Sequence, residues 1–122
     1  MPAVGTAGQL TTHVLDIARG RPAAGVAVTL VRLVPGEAEQ ALASAVTNAD
    51  GRTDEPLLAA LDIATYELRF AVADYFAAGG HAVGDPPFLD VIPVRFAISE
   101  PGTSHHVPLL VAPWAYSTYR GS

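Results

Sequence analysis

Four histidines, His13, His81, His105 and His106, are the groups in this chain best suited to moving protons near neutrality, because an unperturbed imidazole titrates near ~6.5. There is no cysteine, hence no thiol nucleophile, no disulfide framework and no Cys-based metal site. His105 and His106 are adjacent, and on a strand neighbours point to opposite faces, which disfavours a shared ion. No His-x-His or His-Glu-x-x-His spacing occurs, so no metal or other cofactor is expected. The chain also lacks a Gly-x-Ser-x-Gly elbow and a phosphate-cradling glycine loop. Asp50, Asp54 and Glu55 cluster beside a turn and read as a solvated face. Arg52 follows Asn48-Ala49-Asp50-Gly51 and, taken alone, reads as a solvated turn residue.

The elements that must position these groups are strands. Leu10 to Ile17 alternates, with Thr11, His13, Leu15 and Ile17 on one face and Thr12, Val14 and Asp16 on the other. Residues 18–22 break it as a turn would. Val26 to Leu33 is strongly β, Ala41 to Thr47 is weaker, and Asn48 to Gly51 closes it with a turn whose glycine takes a positive φ cheaply. Residues 53–65 give no clear pattern, and Pro56 argues against a continuous strand there. Tyr66 to Val72 puts Tyr66, Leu68 and Phe70 on one side. Ala73 to Ala78 suits one or two helical turns stopped by Gly79-Gly80. Val91 to Ile98 is a further strand, and residues 105–112 and 115–121 form a closing hairpin about Pro113-Trp114. In that hairpin Val107, Leu109 and Val111 suit the interior, which places His106 with Pro108 and Leu110 on the outer face. Trp114 and Tyr116 read as packing residues. Short strands at regular spacing, frequent Gly/Pro punctuation and at most one short helix describe a β-sandwich.

With 122 residues, half of them hydrophobic, the chain is expected to form a single domain, residues 1–122, with a core that folds without staples. Seven basic residues against twelve acidic ones, net charge −5, argue against a nucleic-acid partner, whose binding relies on neutralising phosphates. The first nine residues carry no basic start and no signal-peptide apolar run. No segment approaches the roughly 18 apolar residues of a membrane helix. A soluble, cytoplasmic protein with no membrane partner is the expectation.

The C-terminal stretch resembles a known family. Val107-Pro108-Leu109-Leu110, Pro113 and, above all, Tyr116-Ser117-Thr118-Tyr119-Arg120-Gly121-Ser122 look like the closing signature of the transthyretin-like 5-hydroxyisourate hydrolases, in which the heptapeptide also sits flush with the chain end. Transthyretin itself shares the Tyr-Ser-Thr part but not the Tyr-Arg-Gly-Ser ending. Leu10-Thr11-Thr12-His13-Val14-Leu15-Asp16, Gly20-Arg21-Pro22-Ala23 and Thr47 to Arg52 look like the family's N-terminal and middle motifs. The resemblance thus spans nearly the whole chain. It implies an all-β, transthyretin-like two-sheet β-sandwich of about eight strands, with one short helix after the fifth.

The resemblance also implies an activity: hydrolysis of 5-hydroxyisourate to 2-oxo-4-hydroxy-4-carboxy-5-ureidoimidazoline in urate breakdown, without a metal, in a homotetramer whose sites lie at subunit interfaces. His13, Arg52 and His106 match the family's catalytic positions. The usual His-Tyr-His is Ser104-His105-His106 here, so only the last histidine is carried over. An imidazole can take a proton from water, and sequence does not decide whether His106 or His13 does so. A planar guanidinium at Arg52 can donate two parallel hydrogen bonds to the carbonyl edge of a purine-like ring. Tyr119, Arg120 and Ser122 are the expected substrate-binding residues. Tyr119 shares the parity of Ser117, and Arg120 points the other way in a regular strand. The alternatives are a transthyretin-like carrier using the same channel without catalysis, and a structural β-sandwich module; the histidines, Arg52 and the Tyr-Arg-Gly-Ser ending count against the carrier.

Overall fold

A computed structural model of the chain describes residues 8–122; the small-residue start lies outside these up to residue 7. The elements in order are β1 (Leu10–Thr11), β2 (Val14–Asp16), β3 (Arg21–Pro22), β4 (Ala27–Leu33), β5 (Gln40–Val46), β6 (Ala64–Ala71), α1 (Val72–Ala78), β7 (Val91–Ile98), β8 (His105–His106), β9 (Leu109–Ala112) and β10 (Ala115–Thr118). One sheet runs β10-β9-β2-β3 and the other β5-β4-β6-β7, with β1-β8 as a separate two-stranded piece. That piece continues the first sheet. Leu10 opposes His105, Thr11 opposes His106 and Val14 opposes Leu109, one constant parallel register. Between the halves, Val107 N–H donates to Thr11 O and Leu109 N–H to His13 O. Taken as continuous lines, β1–β2 and β8–β9 reduce the count to eight strands, and α1 follows the fifth.

Alternation dictates the layers. Thr12, Val14 and Asp16 are buried while Thr11, His13 and Leu15 are half-buried on the outer face, as the pattern from Leu10 to Ile17 requires. Val14, Leu109 and Val111 face Val28, Leu30, Leu68, Phe70 and Ile92 across the interior, each buried. Each such side chain contributes about 1.5–3 kcal/mol by leaving water. The stretch 53–65 is irregular only as far as residue 63, since β6 begins at Ala64, and it sends Leu57 and Leu61 into this core.

Two buried polar links fix the rest. Asp16, fully buried, accepts hydrogen bonds from the Tyr75 hydroxyl (2.7 Å) and from Arg19 N–H (3.0 Å), tying α1 to the end of β2. Burial, then the bond to Asp16, pushes the Tyr75 hydroxyl up to about 12. Thr47 donates its hydroxyl to Ala23 O (2.6 Å) and accepts from Val26 N–H (2.9 Å), closing the start of β4 against the end of β5.

Local chemistry also moves some boundaries. Arg21–Pro22, which reads as turn, forms the short edge strand β3 against Asp16 and Leu15. Residues 115–121 pair continuously only to Thr118. Pro108 has no N–H to offer the residue opposite, and the Thr118 hydroxyl donates to Pro108 O at 2.7 Å instead. The register nonetheless survives the gap, since Gly121 pairs with His106 where the β9–β10 ladder would place it. Trp114 and Tyr116 are not core packing residues among the described residues: they are 66% and 44% exposed. They sit on the hairpin and edge strand, whose outer face no layer of the described residues covers.

Candidate active site

His106 is presented by β8 on the outer face, half-buried, while His105 beside it turns inward and is 5% exposed. The parity reading thus holds at this pair. His105 Nδ1 donates to Thr103 O (2.9 Å), a local bond that accounts for a histidine at a core-facing position. His106 Nδ1 lies 2.9 Å from the Thr11 hydroxyl. Gly121 covers the ring from the paired strand: a Cβ there would fall 2.6 Å from His106 Cδ2. Burial, then the positive charge of Arg52, then His13, hold the His106 imidazole below its usual pKa. It is therefore a neutral base at pH 7, with Nε2 free of protein partners among the described residues.

His13 stands in the gap between β1 and β2. Its backbone bridges to Arg52, so the turn that carries the arginine is fastened to the strand that carries the histidine. The fastening is specific. Asn48 Oδ1 accepts from Asp50 N–H (2.9 Å) and Arg52 N–H (3.2 Å), an Asx turn of the kind asparagine favours. Gly51 then takes φ +74°, and any Cβ on it would lie 2.4 Å from Val14 O and 3.2 Å from His13 Cδ2. Each histidine ring therefore has a glycine against its Cδ2 edge. His13 Nε2 is buried with no hydrogen-bond partner among the described residues. Arg52 is exposed, and its guanidinium makes no ion pair or hydrogen bond among the described residues.

Thr11, Arg52, Ser104, His105, His106 and Ser122 line one cleft of about 260 Å³. Of the expected residues, Arg52, His106 and Ser122 are thus brought together, and His13 is joined to them through the Arg52 turn. Tyr119 and Arg120 are not in this cleft. They line a neighbouring one of about 300 Å³ with Arg95, Phe96 and His105, at the edge where β10 approaches β7. Sequence reasoning missed Thr11 and Gly121 as site residues. The only available signal was Thr11 sharing a face with His13; its meeting with His106 depends on a strand pairing that spacing does not encode. No group of three His, Cys, Asp or Glu side chains among the described residues is placed to hold a metal ion. The arrangement can deprotonate a water at a neutral imidazole and set a free guanidinium beside the charge that develops.

Two sheets with one helix after the fifth strand, and paired histidines on the outer face of the helix-free sheet, define a transthyretin-like β-sandwich. The model of the HIUase/transthyretin family matches residues 10–121. A 5-hydroxyisourate hydrolase of Deinococcus radiodurans is 57% identical over 115 residues, covering 93% of this chain and 95% of that protein. The structure of (S)-allantoin synthase superposes with a TM-score of 0.89 at 45% identity, over 95% of this chain; this chain spans 44% of that one. Sea bream transthyretin in complex with thyroxine gives a TM-score of 0.83 at 25% identity, over 93% of this chain and 94% of that one. The chain belongs to the HIUase/transthyretin family.

Proposed function

We propose that the chain hydrolyses 5-hydroxyisourate to 2-oxo-4-hydroxy-4-carboxy-5-ureidoimidazoline, a step of purine catabolism. The observation that carries this reading is the cleft in which a neutral His106, Ser122 and an Arg52 unpaired among the described residues converge. Water donates a proton to His106 Nε2 as its oxygen adds to a ring carbonyl of the substrate. The tetrahedral intermediate places negative charge on the former carbonyl oxygen, which the Arg52 guanidinium stabilises. Collapse restores the carbonyl as a carboxyl group and breaks the ring C–N bond, and the leaving nitrogen takes up the proton. His13, its Nε2 buried and without a partner among the described residues, assists, and Ser122 supplies a hydroxyl to the substrate. Tyr119 and Arg120, in the adjoining cleft, stay outside the machinery of a single subunit.

The same reading includes a homotetramer with sites at subunit interfaces. Exposed Ile17, Trp114, Tyr116 and Tyr119 support it, as large apolar groups on an outer face are the material of protein contacts. Sedimentation equilibrium tests this, a monomer at micromolar concentration counting against it.

For the activity, 5-hydroxyisourate is generated in situ from urate and uricase, and its ultraviolet decay is followed with wild type and His106→Ala. Loss of a general base costs about 10²–10⁴-fold, so the variant is expected to fall close to the spontaneous rate. Wild-type decay no faster than the spontaneous reaction, in a folded protein, would remove the hydrolase reading in favour of a carrier.

A further inference from the structure

The hydroxyl of Thr11 and Nδ1 of His106 meet at 2.9 Å although 95 positions separate them in the chain. Backbone bonds bracket the meeting: His105 N–H donates to Gln9 O (2.8 Å) and Val107 N–H to Thr11 O (3.0 Å). Thr11 therefore cannot slide relative to His106 without breaking the ladder. A β-branched side chain is stiff at χ1, so the hydroxyl reaches the ring with little rotamer freedom left to lose. Its neighbour Thr12 is buried and commits its own hydroxyl to Val107 O at 2.7 Å. The Thr11 hydroxyl has no partner but His106 among the described residues.

A hydroxyl can donate or accept, and a neutral imidazole has one nitrogen of each kind. Were Thr11 the donor, the His106 proton would sit on Nε2, where no acceptor awaits it among the described residues. The base would then face the cleft with its wrong nitrogen. With Thr11 as acceptor, Nδ1 carries the proton and the Nε2 lone pair is aimed at the cleft. On the hydrolase reading above, we infer that Thr11 is a positioning residue: it accepts the Nδ1–H of His106, and so fixes both the tautomer and the ring orientation that water activation needs. In Ser-His-Asp sites a carboxylate orients the histidine in this way and also stabilises the imidazolium. A neutral threonine supplies only the orientation, which fits a base that burial and Arg52 keep uncharged.

The test has two parts. Nitrogen-15 NMR of the wild-type protein, at a pH where His106 is neutral, should show the proton on Nδ1; a proton on Nε2 overturns the inference. This readout needs neither substrate nor variant, so it decides on Thr11 even if wild type fails to hydrolyse 5-hydroxyisourate, a result that would count only against the hydrolase reading. In kinetics, Thr11→Val keeps the shape and removes the hydroxyl. Its kcat should fall by about tenfold or more, as expected for losing a bond that orients a base, with KM changed by less than about twofold. Thr11→Ser, which keeps the hydroxyl, should restore most of kcat and the Nδ1–H tautomer, and it carries the kinetic test should the valine variant fold poorly. An unchanged kcat in Thr11→Val, or a Thr11→Ser variant as slow as Thr11→Val, overturns the inference.

Discussion

Gly121→Ala is the substitution that most sharply separates the site from the fold. The added Cβ would lie 2.6 Å from His106 Cδ2, 3.2 Å from Cγ and 3.3 Å from Cβ of the same side chain. Ordinary contact begins near 3.4 Å, so the ring must retreat by about 0.8 Å, a shift large enough to disturb its 2.9 Å contact with Thr11. Misplacing a reacting group by about 1 Å costs on the order of 10²-fold in rate. The price in stability is smaller. Gly121 is not among the glycines with positive φ, so alanine adds no backbone strain, and it gains about 0.4–1 kcal/mol by restricting the unfolded chain. That gain offsets part of the roughly 1–3 kcal/mol of overpacking. The expected outcome is a kcat about 10²-fold below wild type, with a melting temperature lowered by no more than about 10 °C. Decay of in situ 5-hydroxyisourate and calorimetry on one preparation measure both. Activity within about threefold of wild type would mean that Gly121 does not hold the ring, and the proposed geometry of His106 would fall with it.

Two further outcomes follow from charges and buried polar groups. Because His106 acts neutral and its pKa is depressed, kcat/KM should rise with pH and level off, its acid limb centred below the ordinary ~6.5 of histidine. Arg52→Met removes the positive charge that, after burial, holds the His106 pKa down, so the NMR titration of His106 should move upward while turnover drops by roughly 3–4 kcal/mol of transition-state stabilisation; an unmoved midpoint would show that the guanidinium does not act on the ring. Tyr75→Phe takes a 2.7 Å donor from the fully buried Asp16 and should cost about 1.5–3 kcal/mol in denaturant melts, with kcat at 25 °C near wild type, since the bond lies at α1 and not at the cleft. No loss of stability would indicate that water or another group replaces the donor.

The site was legible where it depends on local periodicity. Alternation alone put His13 and Thr11 on one face and His106 opposite in sense to His105, and the Asn48–Gly51 turn announced itself through residue types that only a tight turn needs. What spacing could not reveal was pairing. The parallel contact between β1–β2 and β8–β9 joins Thr11 to His106, and the antiparallel bridge of His13 with Arg52 brings Gly51 to His13; both join residues far apart in the chain and had no local signature. Pro108 shows a different limit. Its missing N–H ends β10 at Thr118, because the residue opposite loses its partner, and this requires knowing which strand lies alongside. Trp114 and Tyr116 show a third: large aromatic residues beside a turn look like core, and residue type alone does not reveal that they lie exposed.

The long-range parallel pairing has a consequence for synthesis. His13 leaves the ribosome early, but its strand has no neighbour on that side until residues 109–111 emerge, and the His106 ring lacks its cover until Gly121 does. At about 5–20 residues per second, the first strand spends several seconds with an open edge. Non-local pairings also tend to form slowly. A longer-lived open edge gives more time for misassociation, so slowing translation between residues 16 and 109 should raise aggregation, which pulse-labelling during translation would measure.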